Sequence, residues 1–218
     1  MKGLLIKDFK LMKNNAMFIL IIIFISIGCA AGMKNPFFAL GYATALISIF
    51  SVNTIAYDEY DNGMPHLFSL PFSRKTYVKE KYVFAVLISV VGLTIATMIS
   101  VGVSLFIEEQ YGMKDWLGIL SLSLFCVILI QGIMLPVRMK FDSEKHKMAM
   151  VIVFGAMAAV VGGTFAIAEA CGIDLDALFD GLLIAKAWST FAIVLILGVG
   201  LMLLSYKISV RFMEKREF

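Results

Sequence analysis

Six long apolar stretches, separated by short polar links, set the pattern of hydrophobic and polar positions along the chain. They cover residues 16–33, 36–57, 82–107, 116–137, 148–168 and 188–206, and none contains a charged residue. A helix crosses about 30 Å of hydrocarbon with about 17 to 25 apolar residues, and every stretch lies near that length. The pattern therefore predicts an all-α polytopic membrane protein with six transmembrane helices in a single domain, 1–218.

Two further segments are amphipathic and too short to span a bilayer. Residues 1–15 place four lysines on one half of a helix and apolar residues on the other, with Asp8 interrupting the apolar face. They predict an interfacial helix whose lysines contact anionic membrane lipid. Residues 171–187 carry leucine and phenylalanine at helical spacing, which predicts an external amphipathic helix between the fifth and sixth spans.

Composition supports the membrane class and excludes a soluble globular domain. The hydrophobic fraction is 61% and the mean hydropathy is +0.92, both far above the values of soluble proteins. The first apolar stretch follows a lysine-rich start and lacks a small-residue cleavage site, so we expect it to be retained rather than removed as a signal peptide.

The basic residues are distributed asymmetrically between alternate links. If the N-terminus is cytosolic, the cytosolic pieces hold sixteen of the nineteen lysines and arginines, and only Lys34, Lys114 and Lys186 lie outside. The sixteen are Lys2, Lys7, Lys10, Lys13, Arg74, Lys75, Lys79, Lys81, Arg138, Lys140, Lys145, Lys147, Lys207, Arg211, Lys215 and Arg216. Because cytosolic loops of membrane proteins are enriched in lysine and arginine, this split predicts a multi-pass protein with both termini in the cytosol.

The sequence offers little chemistry of its own. An acid or base inside a span is the usual sign of an ion-coupled carrier, and the six stretches contain none. His66 and His146 stand alone without a partner at metal-ligand spacing, and no phosphate-binding loop or catalytic motif occurs. We therefore expect no catalytic residue, no metal site and no nucleic-acid partner, and any source of energy must act from outside the bilayer.

Small residues recur at four-residue spacing in the first two spans. Gly28 and Gly32 form one such pair, and Gly41 and Ala45 form another. This spacing allows close approach of two helices, either between chains or within one bundle, and both alternatives stay open.

The longest polar link, 58–81, carries a family resemblance. It begins with the acidic pair Asp58-Glu59, turns at Asn62-Gly63, continues as a short apolar stretch, and then reads Leu-Pro-Phe-Ser-Arg over 70–74 before Lys81-Tyr82 opens the third span. Together with the interfacial start and six spans, this link resembles that of the small bacterial permeases of the ABC-2 transporter type. The alternative is that the basic residues after Ser73 only anchor the third span at the interface.

The resemblance implies a cytosolic coupling helix in this link that docks on a separate ABC ATPase subunit, which would bind the ATP and Mg²⁺. The residues that it places in the coupling segment are Asp58, Glu59, Gly63, Leu67, Leu70, Pro71, Ser73, Arg74 and Tyr77. We add Phe68, because Leu67, Phe68 and Leu70 are the apolar side chains best suited to anchor a docking surface.

The sequence thus predicts a permease subunit of an ATP-driven ABC exporter in the bacterial cytoplasmic membrane, working as a homodimer or as a heterodimer with a homologous chain. An uncharged pathway favours a hydrophobic or amphipathic substrate, such as a peptide, drug or lipid-like compound. The alternative is a stand-alone membrane binding or immunity protein that acts against a peptide without ATP. A membrane enzyme ranks third, because no acids, histidines or serines converge in any span.

Overall fold

The architecture is taken from a computed structural model. It describes residues 1–60, 63–107, 111–141 and 187–216, together with the positions 148, 149, 151, 152, 154, 155 and 163. Within this part of the chain all regular structure is helical, as the sequence predicts. The helices are α1 (Lys2–Asn14), α2 (Ala16–Gly32), α3 (Pro36–Val52), α4 (Thr54–Glu59), α5 (Gly63–Phe68), α6 (Arg74–Ile107), α7 (Met113–Lys140) and α8 (Ala187–Lys215).

Four of the described units are long and apolar enough to cross a membrane. They are Pro36–Glu59, Arg74–Ile107, Met113–Lys140 and Trp188–Lys215, and α1 with α2 makes a fifth if this pair, bent by 59°, is counted as one span. The predicted spans 36–57, 82–107, 116–137 and 188–206 all fall within these helices. Most of the predicted fifth span, 148–168, and residues 171–186 of the predicted external helix lie outside the described residues.

The turn between α2 and α3 lies in the short link between the first two apolar stretches. Asn35 caps α3, because its side-chain oxygen accepts a hydrogen bond from the Phe37 amide at 3.0 Å, and Pro36 occupies the first helical turn. Lys34 adopts a positive φ of 52°, which lets the chain reverse within three residues. The two helices therefore form a hairpin.

The third long helix begins well before its apolar stretch. Ser73 caps α6 by accepting a hydrogen bond from the Thr76 amide at 3.2 Å, so the helix starts at Arg74 and two of its turns precede residue 82. Tyr77, Glu80 and Lys81 lie on these turns and are buried. The predicted polar link 58–81 therefore contains the buried start of a transmembrane helix as well as a surface segment.

α7 and α8 pack side by side and run in the same direction. An added Cβ on Gly198 would contact the Ile128 side chain, and the Ser205 hydroxyl donates a hydrogen bond to the Gly132 carbonyl at 2.7 Å. The residue numbers increase on both helices from the first contact to the second, so the helices are parallel. The end of α7 and the start of α8 therefore lie at opposite ends of the bundle.

The three glycines of the predicted small-residue pairs face open space among the described helices. A Cβ built on Gly28, Gly32 or Gly41 meets no neighbouring atom of the described chain within 4 Å. The α2–α3–α6 contact instead uses Ala30, Ala39 and Val103, all of which are buried. Packing at the predicted glycine positions stays a prediction for surfaces that lie outside this bundle.

Candidate functional site

Charged residues gather at one end of the bundle, at the ends of α4, α7 and α8 and on α1 and the start of α6. We call this the charged end. The acidic pair at the end of α4 organises it, because the two side chains point to different partners: Asp58 faces lysines of α1 and α6, whereas Glu59 faces arginines of α7 and the C-terminal end of α8.

The first group consists of Lys7, Asp8, Asp58 and Lys81, which we call the four-charge cluster. Lys81 binds both aspartates, with 2.7 Å between its ammonium nitrogen and the carboxylate of Asp58 and a hydrogen bond to Asp8. Lys7 also pairs with Asp58, and it lies 3.4 Å from Asp8. Tyr77 completes the group by donating its hydroxyl to Asp58 at 3.0 Å.

Burial makes the four-charge cluster energetically significant. The exposed fractions are 0% for Asp8 and 1% for Lys81, so water replaces neither partner when a contact is lost. Removing one member of a buried pair typically costs about 3–5 kcal/mol, because the other charge stays uncompensated. The cluster therefore stabilises the packing of α1 against α4 and α6.

The second group ties α4 to the C-terminal part of the chain. Glu59 lies 3.4 Å from Arg138 at the end of α7 and 2.9 Å from Arg216 just beyond α8. Arg74 donates to three carbonyl oxygens at the end of α8, of which the Arg216 carbonyl is nearest at 2.7 Å. A cation at the carbonyl end of a helix is favourable, so Arg74 stabilises the C-terminus of α8 while it starts α6.

The segment between the two groups forms a short surface helix. α5 packs back through Phe68, whose ring lies 5.5 Å from the Tyr77 ring and 5.9 Å from the Arg74 guanidinium. Gly63 is required at its start, because an added Cβ would lie 2.7 Å from the Asp58 carbonyl oxygen. The outward side is exposed, and Leu70 is 50% accessible there.

The ten residues predicted for the coupling segment meet at the charged end, but they divide into two sets. Asp58, Glu59 and Tyr77 are buried against other helices, and Leu67 and Phe68 pack on the core. The exposed ones include Leu70, Pro71 and Ser73. Whether a partner binds this exposed set stays a prediction.

Sequence reasoning missed the partners of the acidic pair. It assigned Lys7, Lys81, Arg138 and Arg216 to the cytosolic surface as topology signals, yet each pairs with a buried carboxylate. The available signal was Asp8, since an acid on the apolar face of an amphipathic helix needs a cation from another element.

An apolar groove runs along α6, α7 and α8 inward from the charged end. Its volume is about 730 Å³, and aliphatic side chains of all three helices form most of its lining. The polar lining residues are Lys79, Tyr82, Ser89, Gln131 and Tyr206. Among the residues that the structure describes, no group of histidine, cysteine and acidic side chains is arranged to hold a metal ion.

Comparison with known proteins agrees with this geometry. No curated protein and no solved structure shows significant similarity to the chain. The family described as ABC-2 family transporter protein matches residues 3–214, which covers α1 through nearly all of α8 and includes the charged end. Because the match extends over almost the whole sequence, the chain belongs to the ABC-2 family of transporter membrane proteins.

Proposed function

We propose that this chain is the permease subunit of an ATP-driven exporter, and that an ABC ATPase subunit docks on the exposed side of α5 and the turn that follows it. ABC-2 permeases are transport components without catalytic activity of their own, and they normally work with such an ATPase. The ATPase would supply the ATP and Mg²⁺ sites. The observation that carries the proposal is that this exposed segment lies next to the two groups of buried ion pairs at the charged end.

That position would let a docking event act on several helices at once. α5 follows Asp58 and Glu59 and precedes Arg74, so it is bounded by residues that hold α1, α4, α6, α7 and the end of α8. Buried ion pairs make this framework stiff, because bending it would expose unpaired charges to an apolar surrounding. A force applied to α5 would therefore move the cytosolic ends of the spans together.

The proposed substrate class is hydrophobic or amphipathic, in keeping with apolar stretches that contain no charge. The groove along α6, α7 and α8 offers about 730 Å³ of mostly aliphatic surface, in the range of sites that accept drug-sized molecules. A peptide, drug or lipid-like compound would fit such a lining better than a charged metabolite.

The proposed topology has six spans with both termini in the cytosol, which makes the charged end the cytosolic end. The parallel arrangement of α7 and α8 supports this topology, because the end of α7 and the start of α8 lie at opposite ends of the bundle, as six spans require. The basic residues around the charged end follow the positive-inside rule in the same orientation.

We further propose that two permeases associate, as a homodimer or with a homologous chain. Gly28 and Gly32 lie on an exposed face of α2, and small residues on a lipid-facing helix surface favour helix association. α8 also offers surface for such an association, since only 11% of its most hydrophobic 18-residue segment is buried by other described residues.

The docking proposal is tested with Leu70→Asp in the full chain, co-expressed with a tagged candidate ABC ATPase from the same organism. We expect the variant to insert and fold normally, because Leu70 is 50% exposed, but to lose co-purification with the ATPase and the ATP hydrolysis that the complex supports. Met113→Asp is the matched control, since this residue is 72% exposed at the other end of the bundle. Full ATPase binding by Leu70→Asp would overturn the docking assignment, whereas failure of the native chain to bind the ATPase would favour the alternative, an ATP-independent membrane binding protein.

A further inference from the structure

One buried acid at the charged end takes no part in either ion-pair group. Glu80 precedes Lys81 on α6 and has no accessible surface. Neither oxygen of its carboxyl group has a hydrogen-bond partner among the described residues. A buried carboxylate without such partners is strongly disfavoured, whereas the neutral acid tolerates the same position at far lower cost.

Among the described residues, the charges near Glu80 leave no cation for it. The charged groups that act on it are Lys81 on its own helix, Lys7 and Asp8 on α1, and Asp58 on α4. The two lysines already balance the two aspartates through direct ion pairs. An ionised Glu80 would therefore give the buried group a net charge of −1.

The position of Glu80 is covered by α1. Phe84 lies one helical turn further along α6 on the same side, and its ring packs edge-on against Phe9 of α1 with 5.2 Å between ring centres. Lys7 and Asp8 of α1 are near enough for their charges to influence Glu80. Movement of α1 away from α6 would consequently open this position to water.

We propose that Glu80 is a proton-binding site: it is protonated while α1 is docked on α6, and it releases that proton when α1 separates and water reaches the carboxylate. The Tyr77 hydroxyl is buried in the same region and stays neutral, because it donates a hydrogen bond to Asp58. The docked state thus binds more protons than the undocked state between acidic and neutral pH. A rise in pH across this window disfavours docking, by up to tenfold in the ratio of the two states for each pH unit.

The first test measures docking directly in the full chain. Spin labels are placed at Lys10 of α1 and Val86 of α6, both exposed, after Cys29, Cys126 and Cys171 are replaced by serine. In vesicles we expect one short distance at pH 5 and a second, longer population that grows towards pH 8. In Glu80→Gln, which keeps the shape and removes the titration, the short distance should persist at both values.

The control is Glu214→Gln, which removes an exposed acid that lies 3.4 Å from Lys75 on the surface. It should respond to pH as the native chain does. A distance distribution that is independent of pH in the native chain, or an equal pH response in Glu80→Gln, would overturn the proposal.

A second measurement does not depend on the variant's conformation. The infrared spectrum of the native chain at pH 6 should contain the carbonyl stretch of a protonated carboxylic acid, and Glu80→Gln should lack that band while Glu214→Gln retains it. Absence of the band from the native chain would contradict protonation of Glu80. Neither measurement requires an ATPase, so their outcome is independent of the docking proposal.

Discussion

Lys81 of α6 donates a hydrogen bond to Asp8 of α1 across 73 residues of sequence, and both side chains are fully enclosed. The same ammonium group contacts Asp58 at 2.7 Å and the Thr54 hydroxyl at 3.3 Å. One lysine therefore holds the N-terminal helix and the acidic end of α4 in a fixed relation to the third span.

Replacement of this lysine should be costly. We expect Lys81→Met to lower the free energy of unfolding by about 3–5 kcal/mol, because it leaves two buried aspartates with Lys7 as their only cation. Thermal or denaturant unfolding in detergent micelles measures the loss. Lys10→Met is the control, since Lys10 is exposed and such surface changes usually stay within about 0.5 kcal/mol. Equal stability of the two variants would contradict the structural role of the four-charge cluster.

A glycine at the start of α5 sets the path of the exposed segment. Gly63→Ala should destabilise the protein by about 1–3 kcal/mol, because the new Cβ would lie 2.7 Å from the Asp58 carbonyl and the backbone would have to shift. The shift would also displace the proposed docking surface and weaken binding of the ATPase. Unfolding and co-purification assays measure the two effects.

The matched control for this substitution is Gly3→Ala. Gly3 lies within α1, and an added Cβ meets no neighbour of the described chain within 4 Å. Alanine is the better helix former, so this variant should be neutral or more stable by up to about 1 kcal/mol. A loss of stability at Gly3 as large as that at Gly63 would show that the effect does not come from the carbonyl contact.

The proposed orientation predicts which surfaces a membrane-impermeant thiol reagent reaches. In a chain without native cysteines, His66→Cys on α5 should react only after cells are opened, whereas Met33→Cys beside the α2–α3 turn should react in intact cells. Both positions are exposed, so a difference in labelling reports their side of the membrane and not their burial. Labelling of position 66 from outside intact cells would reverse the topology.

The sequence by itself determined the parts of the fold that depend on local physics. Apolar stretches long enough to cross hydrocarbon identified the helices α3, α6, α7 and α8, because a spanning segment must satisfy its backbone hydrogen bonds internally. Asn35 with Pro36 fixed the hairpin turn, and Ser73 marked the start of α6. The family also followed from the link between the second and third spans.

Only the tertiary structure decided what the charges at the helix ends do. By sequence, Lys81 was one of many basic residues flanking a span, and a flanking lysine ordinarily extends its charge to the interface. The approach of α1 and α4 closes water out and leaves Asp8 and Asp58 as its nearest partners. Periodicity describes one helix at a time, so it contains no information about which two helices will enclose a charge between them, and the partners of Asp8, Glu59 and Glu80 depended on that packing.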